Sequence, residues 1–299
     1  MARILVTGAT GFIGKRLVGA LVEAGHDVKA MTRHPETYDG PGRPVRGDVG
    51  ERASLTEPLE DVDVAYYLVH SLDNTDFEKR DADAARMFAK VAATTGVGQI
   101  VYLGGLGNEH NGALSAHLRS RREVEGLLGS TGIPVTVLRA AIVVGKGGVS
   151  WEMTRQLVKK LPAMVVPKWV GTRTQPIGID DVVSYLVGVA GHEKALGQVY
   201  EIGGPEVLTY GEMLQQAAMV MNGRELPVVQ VPVLTPRLSS YWLALVTDVD
   251  ITTGRNLIDS MGTEVVVTDD AIRDVLPLDL VPYQETVRRA LEDDRQTEG

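Results

Sequence analysis

The amino-acid order predicts an α/β protein, a doubly wound parallel sheet joined to a smaller C-terminal lobe that is also α/β. Three observations carry this reading. Short β-branched runs alternate with longer amphipathic ones through the first half of the chain, the rhythm of repeated βαβ units. A glycine-rich turn joins the first strand to the first helix. Beyond about residue 145 the alternation loosens, with no internal repeat or low-complexity linker between the two parts.

In chain order, residues 3–7 read as a buried strand and 12–24 as a helix, with further strands at 27–32, 44–46 and 63–69. Residues 75–95 read as a helix opened by a capping box, Thr75 with Glu78 three positions on. Its apolar stripe is Phe77, Ala84, Phe88, Val91 and Ala92. A fifth strand follows at 99–103, a helix at 115–128 and a sixth strand at 134–139. Asp180 and Asp181 precede the apolar helix VVSYLVGVA, where they suit an N-terminal cap and the helix dipole. Thr209 with Glu212 forms a second capping box.

Pro227, Pro232 and Pro236 punctuate an extended stretch ahead of residues 238–246, where Tyr241, Trp242, Leu243, Leu245 and Val246 gather. That segment is expected as a pocket wall or core, with a partner or membrane contact as the alternative. Residues 1–145, with returning segments near 175–205, are expected to form the first domain, and 146–299 mainly the second.

Composition narrows the function. With 30 Lys and Arg against 39 Asp and Glu, the net charge of −9 argues against a nucleic-acid or anionic-membrane surface. The absence of cysteine removes disulfides, a thiol nucleophile and thiolate metal sites. The six histidines are scattered, without a zinc-ligand spacing such as HExxH, so no metal is expected. No apolar run approaches the roughly 18 residues of a membrane span, and the first apolar stretch is too short for a signal peptide. A cytoplasmic protein is expected, with a small-molecule partner and a homo-oligomer left open.

The chemistry starts at the glycine turn, Gly8-Ala9-Thr10-Gly11-Phe12-Ile13-Gly14. A helix N-terminus offers free N–H groups and a partial positive charge, which suit a pyrophosphate. In a Rossmann unit, Gly8 would allow the tight turn and Gly11 the approach of the phosphates, while Gly14 would let helix and strand pack closely. Thr10, Phe12 and Ile13 complete the expected contacts. The spacing is GxxGxxG rather than the usual GxGxxG, and glycines in an ordinary strand–helix turn are the alternative. After the second strand stands Arg33, where an NAD site usually has an acidic residue. A guanidinium suits a 2′-phosphate, so NADP(H) is the expected cofactor; a solvated surface arginine is the alternative. Asp48 could accept from the adenine amino group, or stabilise a turn beside Gly47. Val49 and Val69 complete the expected dinucleotide wall.

TGATGFIG, followed by Arg33, Gly47-Asp48 and VYLGG, resembles the atypical short-chain dehydrogenase/reductases, in particular the NmrA-like and NAD(P)H-binding members. AYYLVHS (65–71), HLRSR (117–121), VTVLRAAIVVG (135–145), QPIGIDDV (175–182) and IGGPEVLTY (202–210) are similar to that group too. LSSYWLALVT (238–247) and the EVVV run expected as a strand near 264–267 carry the likeness almost to the C-terminus. The resemblance implies hydride transfer, with a Ser at the end of the fifth strand and a Tyr–Lys pair spaced YxxxK. Here the serine region reads Gly104-Gly105, and the YxxxK slot reads His117-Leu118-Arg119-Ser120-Arg121. All three side chains differ.

The i,i+4 spacing places His117 and Arg121 on one helical face. His117, as a group that titrates near neutrality, could move a proton, and Arg121 could hold the nicotinamide ribose. His117 as a plain polar residue of the first helical turn is the alternative. His70 and Ser71, after the fourth strand, reach the same region, because ligands bind outside the carboxyl ends of parallel strands. A local backbone role is the alternative for both. In related folds the backbone after the sixth strand, Ala140 onward, contacts the nicotinamide amide. Arg139 is expected in a structural ion pair. Two functions compete: an NADPH-dependent oxidoreductase acting on a hydrophobic carbonyl, quinone or activated alkene, and a non-catalytic NADP(H)-binding sensor or assembly subunit. A sugar-nucleotide epimerase is a weaker third.

Overall fold

The computed structural model describes residues 1–70, 76–107, 115–160, 164–166, 168–230 and 261–298. Its first half runs β1 (Arg3–Val6), α1 (Phe12–Glu23), β2 (Asp27–Thr32), β3 (Arg43–Arg46), α2 (Thr56–Leu59), β4 (Val64–Tyr67), α3 (Phe77–Thr95), β5 (Gln99–Gly105), α4 (Ala116–Leu128) and β6 (Val135–Ala140). Then come β7 (Val143–Val144), α5 (Val149–Lys160), β8 (Met164–Val166), β9 (Arg173–Thr174), β10 (Ile177–Gly178), α6 (Ile179–Val189) and β11 (Val199–Ile202). The described chain closes with β12 (Leu208–Thr209), α7 (Tyr210–Asn222), β13 (Val228–Gln230), α8 (Ile272–Val275) and α9 (Tyr283–Glu298).

Seven strands form one sheet in the order β11-β6-β5-β4-β1-β2-β3. Every pairing in it is parallel. A parallel sheet is covered on both faces, so its strands read as continuous apolar runs; Ile4, Leu5 and Val6 are all fully buried. On one face, Leu17 and Leu21 of α1 and Val182 and Leu186 of α6 pack around Ile4, Val6, Tyr66 and Val101. On the other, Phe88 and Ala92 of α3 and Val124 and Leu128 of α4 pack around Leu5, Tyr67, Ile100 and Tyr102. The fold is the doubly wound Rossmann sheet expected from the sequence. Its strand order reverses between β1 and β4, which opens the crevice at their carboxyl ends where such folds take ligands. A third core, around Trp151, Leu157, Tyr210, Met213 and Val287, joins α5, α7 and α9.

Several local expectations change. The third helix starts at Phe77 with Asp76 at its N-cap and no side-chain cap. Thr75 lies outside the described residues. Glu78, expected to complete that cap, lies 3.6 Å from Arg119 of α4 instead. Asp180 and Asp181 sit in the first turn of α6, whose N-cap is Gly178. They keep the dipole role but not the cap: Asp181 accepts from the Val281 amide at 3.0 Å, and Asp180 pairs with Arg289 at 3.2 Å. The run near 264–267 makes a single bridge, Val265 to Thr174, rather than a strand. The second capping box is present, Thr209 and Glu212 each receiving the other's amide. Pro232, Pro236 and the aromatic segment 238–246 lie outside the described residues. No helix among the described residues is long and apolar enough to cross a membrane.

Candidate active site

The glycine turn lies at the reversal of strand order. Thr7, fully buried at the end of β1, donates its amide to the Tyr66 carbonyl and accepts the Leu68 amide on its hydroxyl. These bonds tie the ends of β1 and β4 together. Gly8 then takes a φ of +66°, the left-handed region that suits glycine. Its carbonyl accepts the Gly11 amide at 2.9 Å. A Cβ on Gly14 would overlap that carbonyl and come 2.9 Å from the Ala9 Cα, so α1 rests directly on the turn.

Thr10 and Gly11 are exposed, the N-terminus of α1 has no side-chain cap, and no acidic residue stands in its first turn. Its open amides and unopposed dipole fit a dinucleotide pyrophosphate. Ile13 packs against the first core rather than outward.

Phe12 connects this turn to later parts of the chain. Its ring lies where added Cβ atoms on Gly145 and Gly148 would meet it, at 3.5 and 2.9 Å. The Arg16 guanidinium stacks 5.2 Å above the same ring and donates to the Phe12 and Lys146 carbonyls at 3.2 and 3.0 Å. Arg16 also pairs with Asp293 of α9 at 3.5 Å, whose carbonyl accepts from the Lys146 ammonium at 2.6 Å. Nothing in the local sequence points to this clasp.

At the β2–β3 edge, Thr32 stands opposite Arg46, and Arg33 follows, exposed and without an ion pair among the described residues. Glu36 lies at the rim, 3.3 Å from the His34 ring. Its carboxyl is held below the usual range by its own backbone amide first, and then by His34 and Arg46. One Asp48 oxygen accepts the Gly50 amide at 2.8 Å, so the turn role exists in the structure. Val49 points into the second core, which leaves its backbone rather than its side chain beside the crevice.

Ser115 caps α4 by accepting the Leu118 amide at 3.3 Å. One turn apart on that helix, His117 and Arg121 are both half-buried above the end of β5. His70 is exposed after β4 and near enough to act on the His117 ring, while Ser71 lies outside the described residues. Val69, half-buried before it, packs against the second core. Burial first, then the Arg121 charge, then His70 push the His117 pKa down to about 3. The sequence-based view of His117 as a group titrating near neutrality is corrected here: its ring is neutral.

Ala140, paired with Gly105 at the strand ends, is buried, and its carbonyl accepts the Leu106 amide at 2.8 Å. Arg139 makes the expected ion pair, donating to both Glu125 oxygens at 3.1 and 2.6 Å. Burial raises the Glu125 carboxyl, against Arg122, which lies 3.4 Å away.

A side chain on either glycine in the serine region would press on a neighbouring side chain. A Cβ on Gly105 would come 2.8 Å from Leu118 Cδ2, and one on Gly104 3.2 Å from the Tyr102 ring. Sequence reasoning also passed over Tyr67 and Tyr102, which stand opposite each other on β4 and β5 with ring centroids 6.2 Å apart. Hydroxyls at buried positions of two central strands were the available signal.

A Rossmann crevice with an uncapped glycine turn and a basic edge defines a protein that binds a nicotinamide dinucleotide. The chain matches the model of the NAD(P)H-binding family over residues 8–164 and belongs to that family. It is 32% identical over 230 residues to a (4-alkanoyl-5-oxo-2,5-dihydrofuran-3-yl)methyl phosphate reductase of Streptomyces griseus, covering 73% of this chain and 74% of that one. A ceramide reductase of Caulobacter vibrioides is 26% identical, over 74% of this chain and 71% of its own. The fold is shared with Citrobacter sp. triphenylmethane reductase complexed with NADP(H), at a TM-score of 0.78 and 20% identity, over 96% and 99% of the two chains. The protein is a nicotinamide-dependent oxidoreductase.

Proposed function

We propose that this oxidoreductase uses NADP(H) rather than NAD(H) and reduces a small apolar carbonyl, quinone or alkene. The observation that carries the cofactor choice is Arg33, an exposed cation without an ion pair among the described residues, at the end of β2. A guanidinium at that position favours a 2′-phosphate over a free hydroxyl. The reading assigns the pyrophosphate to the amides from Gly8 to Gly14 and the adenine edge to the Asp48 oxygen that does not hold the Gly50 amide. Arg121, His117 and His70 border the nicotinamide end, with the backbone from Ala140 onward across from them.

When bound, the cofactor would supply a hydride from its dihydronicotinamide ring. The chain's own residues position the substrate and exclude water. The reductase names of two relatives support this direction of reaction. The small-molecule partner and the cytoplasmic location expected from the sequence stay part of the reading.

Steady-state NADPH oxidation over a panel of quinones, aldehydes and enones tests it. The expected result is turnover with at least one class, and a tighter Kd for NADPH than for NADH. Tight NADPH binding without oxidation by any acceptor would instead favour a redox sensor.

A further inference from the structure

The three arginines along one stretch of α4 differ in what they face. Arg119 pairs with Glu78 and Arg122 with Glu125. Arg121, between them, has no ion pair among the described residues. Its carbonyl accepts from the Tyr102 hydroxyl at 3.4 Å, and its side chain crosses Gly105, where an added Cβ would lie 3.9 Å from Cγ. Asp81, buried on α3, bounds the cluster on its inner side and acts on the Tyr67 and Tyr102 hydroxyls. Among the described residues, His117, with His70 near it, is a further titratable group beside Arg121. The guanidinium has the Tyr102 hydroxyl as a partner and Asp81 behind it, but no carboxylate at ion-pair distance among the described residues, which leaves this half-buried cation open to an anion.

We propose that Arg121 is the electrophile of a conjugate reduction, holding the enolate oxygen formed when hydride adds to an alkene conjugated to a carbonyl. The inference rests on the oxidoreductase reading and narrows its substrate class.

Hydride addition to an isolated ketone or aldehyde makes an alkoxide, a base strong enough to need a proton at once from a neighbouring donor. Among the described residues none stands free beside Arg121: the Tyr102 hydroxyl already donates to its carbonyl, and His70 is exposed after the end of β4. Arg121 does not give up a proton, the His117 ring carries no extra one, and the serine region holds Gly104 and Gly105.

Conjugate addition makes a different demand. A C–H bond forms at the β-carbon, the C=C π bond breaks, and its electron pair moves through the α-carbon onto the carbonyl oxygen. The dihydronicotinamide is oxidised and the alkene reduced. The enolate is a much weaker base than an alkoxide, and a fixed guanidinium satisfies it without a proton. Water then protonates the α-carbon and the carbonyl returns. A quinone meets the same requirement, because its first product is a phenolate.

The test uses the full chain with NADP⁺ bound and 4-nitrophenol as the enolate mimic, its visible absorbance reporting the ionised fraction. Bound probe is expected to ionise at least one pH unit below free probe. Arg121→Ala should abolish that shift, and Arg121→Lys should retain part of it. Kd for NADPH should stay within about threefold of wild type in both. In parallel, NADPH oxidation by cyclohexenone should exceed that by cyclohexanone, with Arg121→Ala lowering the enone rate about 10²–10³-fold.

Probe bound in its neutral form, or ionised equally in Arg121→Ala, overturns the role. So does a variant whose main change is a raised Kd for NADPH, which would make Arg121 a ribose contact only. Cyclohexanone turned over as fast as cyclohexenone overturns the substrate class while leaving the oxidoreductase reading intact. If no acceptor oxidises NADPH, that reading fails and the enolate role falls with it.

Discussion

Gly14 lies so close beneath Gly8 that a methyl group on the first would occupy the carbonyl oxygen of the second. Gly11, between them, has ordinary extended backbone (φ −79°, ψ 176°), and its added Cβ would stop 3.2 Å from the same oxygen. The two glycines should therefore fail differently. Gly14→Ala forces α1 off the turn and is expected to cost about 1–3 kcal/mol of stability, as overpacking does. Gly11→Val should fold normally and lose dinucleotide binding, because the branched side chain fills the approach to the open amides. Urea unfolding and calorimetry with NADPH separate the two. Wild-type NADPH affinity in Gly11→Val would mean the phosphates bind elsewhere.

Arg33→Ala should remove the cofactor preference rather than binding itself. A charge-assisted contact is worth about 1.5–3 kcal/mol, which corresponds to roughly 10- to 150-fold in Kd. Calorimetry on both proteins with both dinucleotides reads this directly. Equal affinity of the wild type for NADPH and NADH would refute the assignment.

The low pKa of His117 links site and stability. A histidine pushed from 6.5 to about 3 binds its proton more readily unfolded than folded. The unfolded state thus holds more protons between those values, so stability rises with pH across that window and falls as the solution is acidified through it. Replacing His117 with Phe should flatten this dependence, measured by urea denaturation at several pH values. The His117 ring resonances should stay constant by NMR between about pH 5 and 8, where a free histidine titrates. A midpoint near neutrality would show that the ring is solvated and available as an acid.

Glu125 receives two hydrogen bonds from Arg139 and faces Arg122, all three side chains being mostly buried. Glu125→Gln should cost about 1.5–3 kcal/mol, the range for hydrogen bonds to charged groups. NADPH affinity should change little, since Glu125 lies in the last turns of α4, away from His117 in its first. A large loss of binding at unchanged stability would place Glu125 in the site.

The sheet was legible because β1, β2, β4, β5 and β6 are apolar runs between helices with clear stripes. The phosphate turn was legible because three glycines and an uncapped helix start are local. What escaped depended on residues distant in sequence. The capping box at Thr75 and Glu78 looks sound in isolation, but Glu78 lies beside Arg119 on a neighbouring helix. His117 reads as a proton carrier until Arg121, His70 and burial are combined around it. Tyr67 and Tyr102 read as ordinary strand residues until the register sets them face to face beneath Arg121.

The bridge from Arg16 to Lys146 and Asp293 bears on how the protein is made. α1 and its turn emerge from a ribosome well before Asp293 does. Contacts so far apart in sequence close slowly, because the intervening chain must first be ordered. The sheet can assemble during synthesis, domain-first folding being the common course. The Phe12 ring, however, gets its clasp only once α9 has docked. A nascent chain stalled before residue 293 should therefore hold a formed sheet and a loose phosphate turn, and nucleotide would be retained only after α9 has been made.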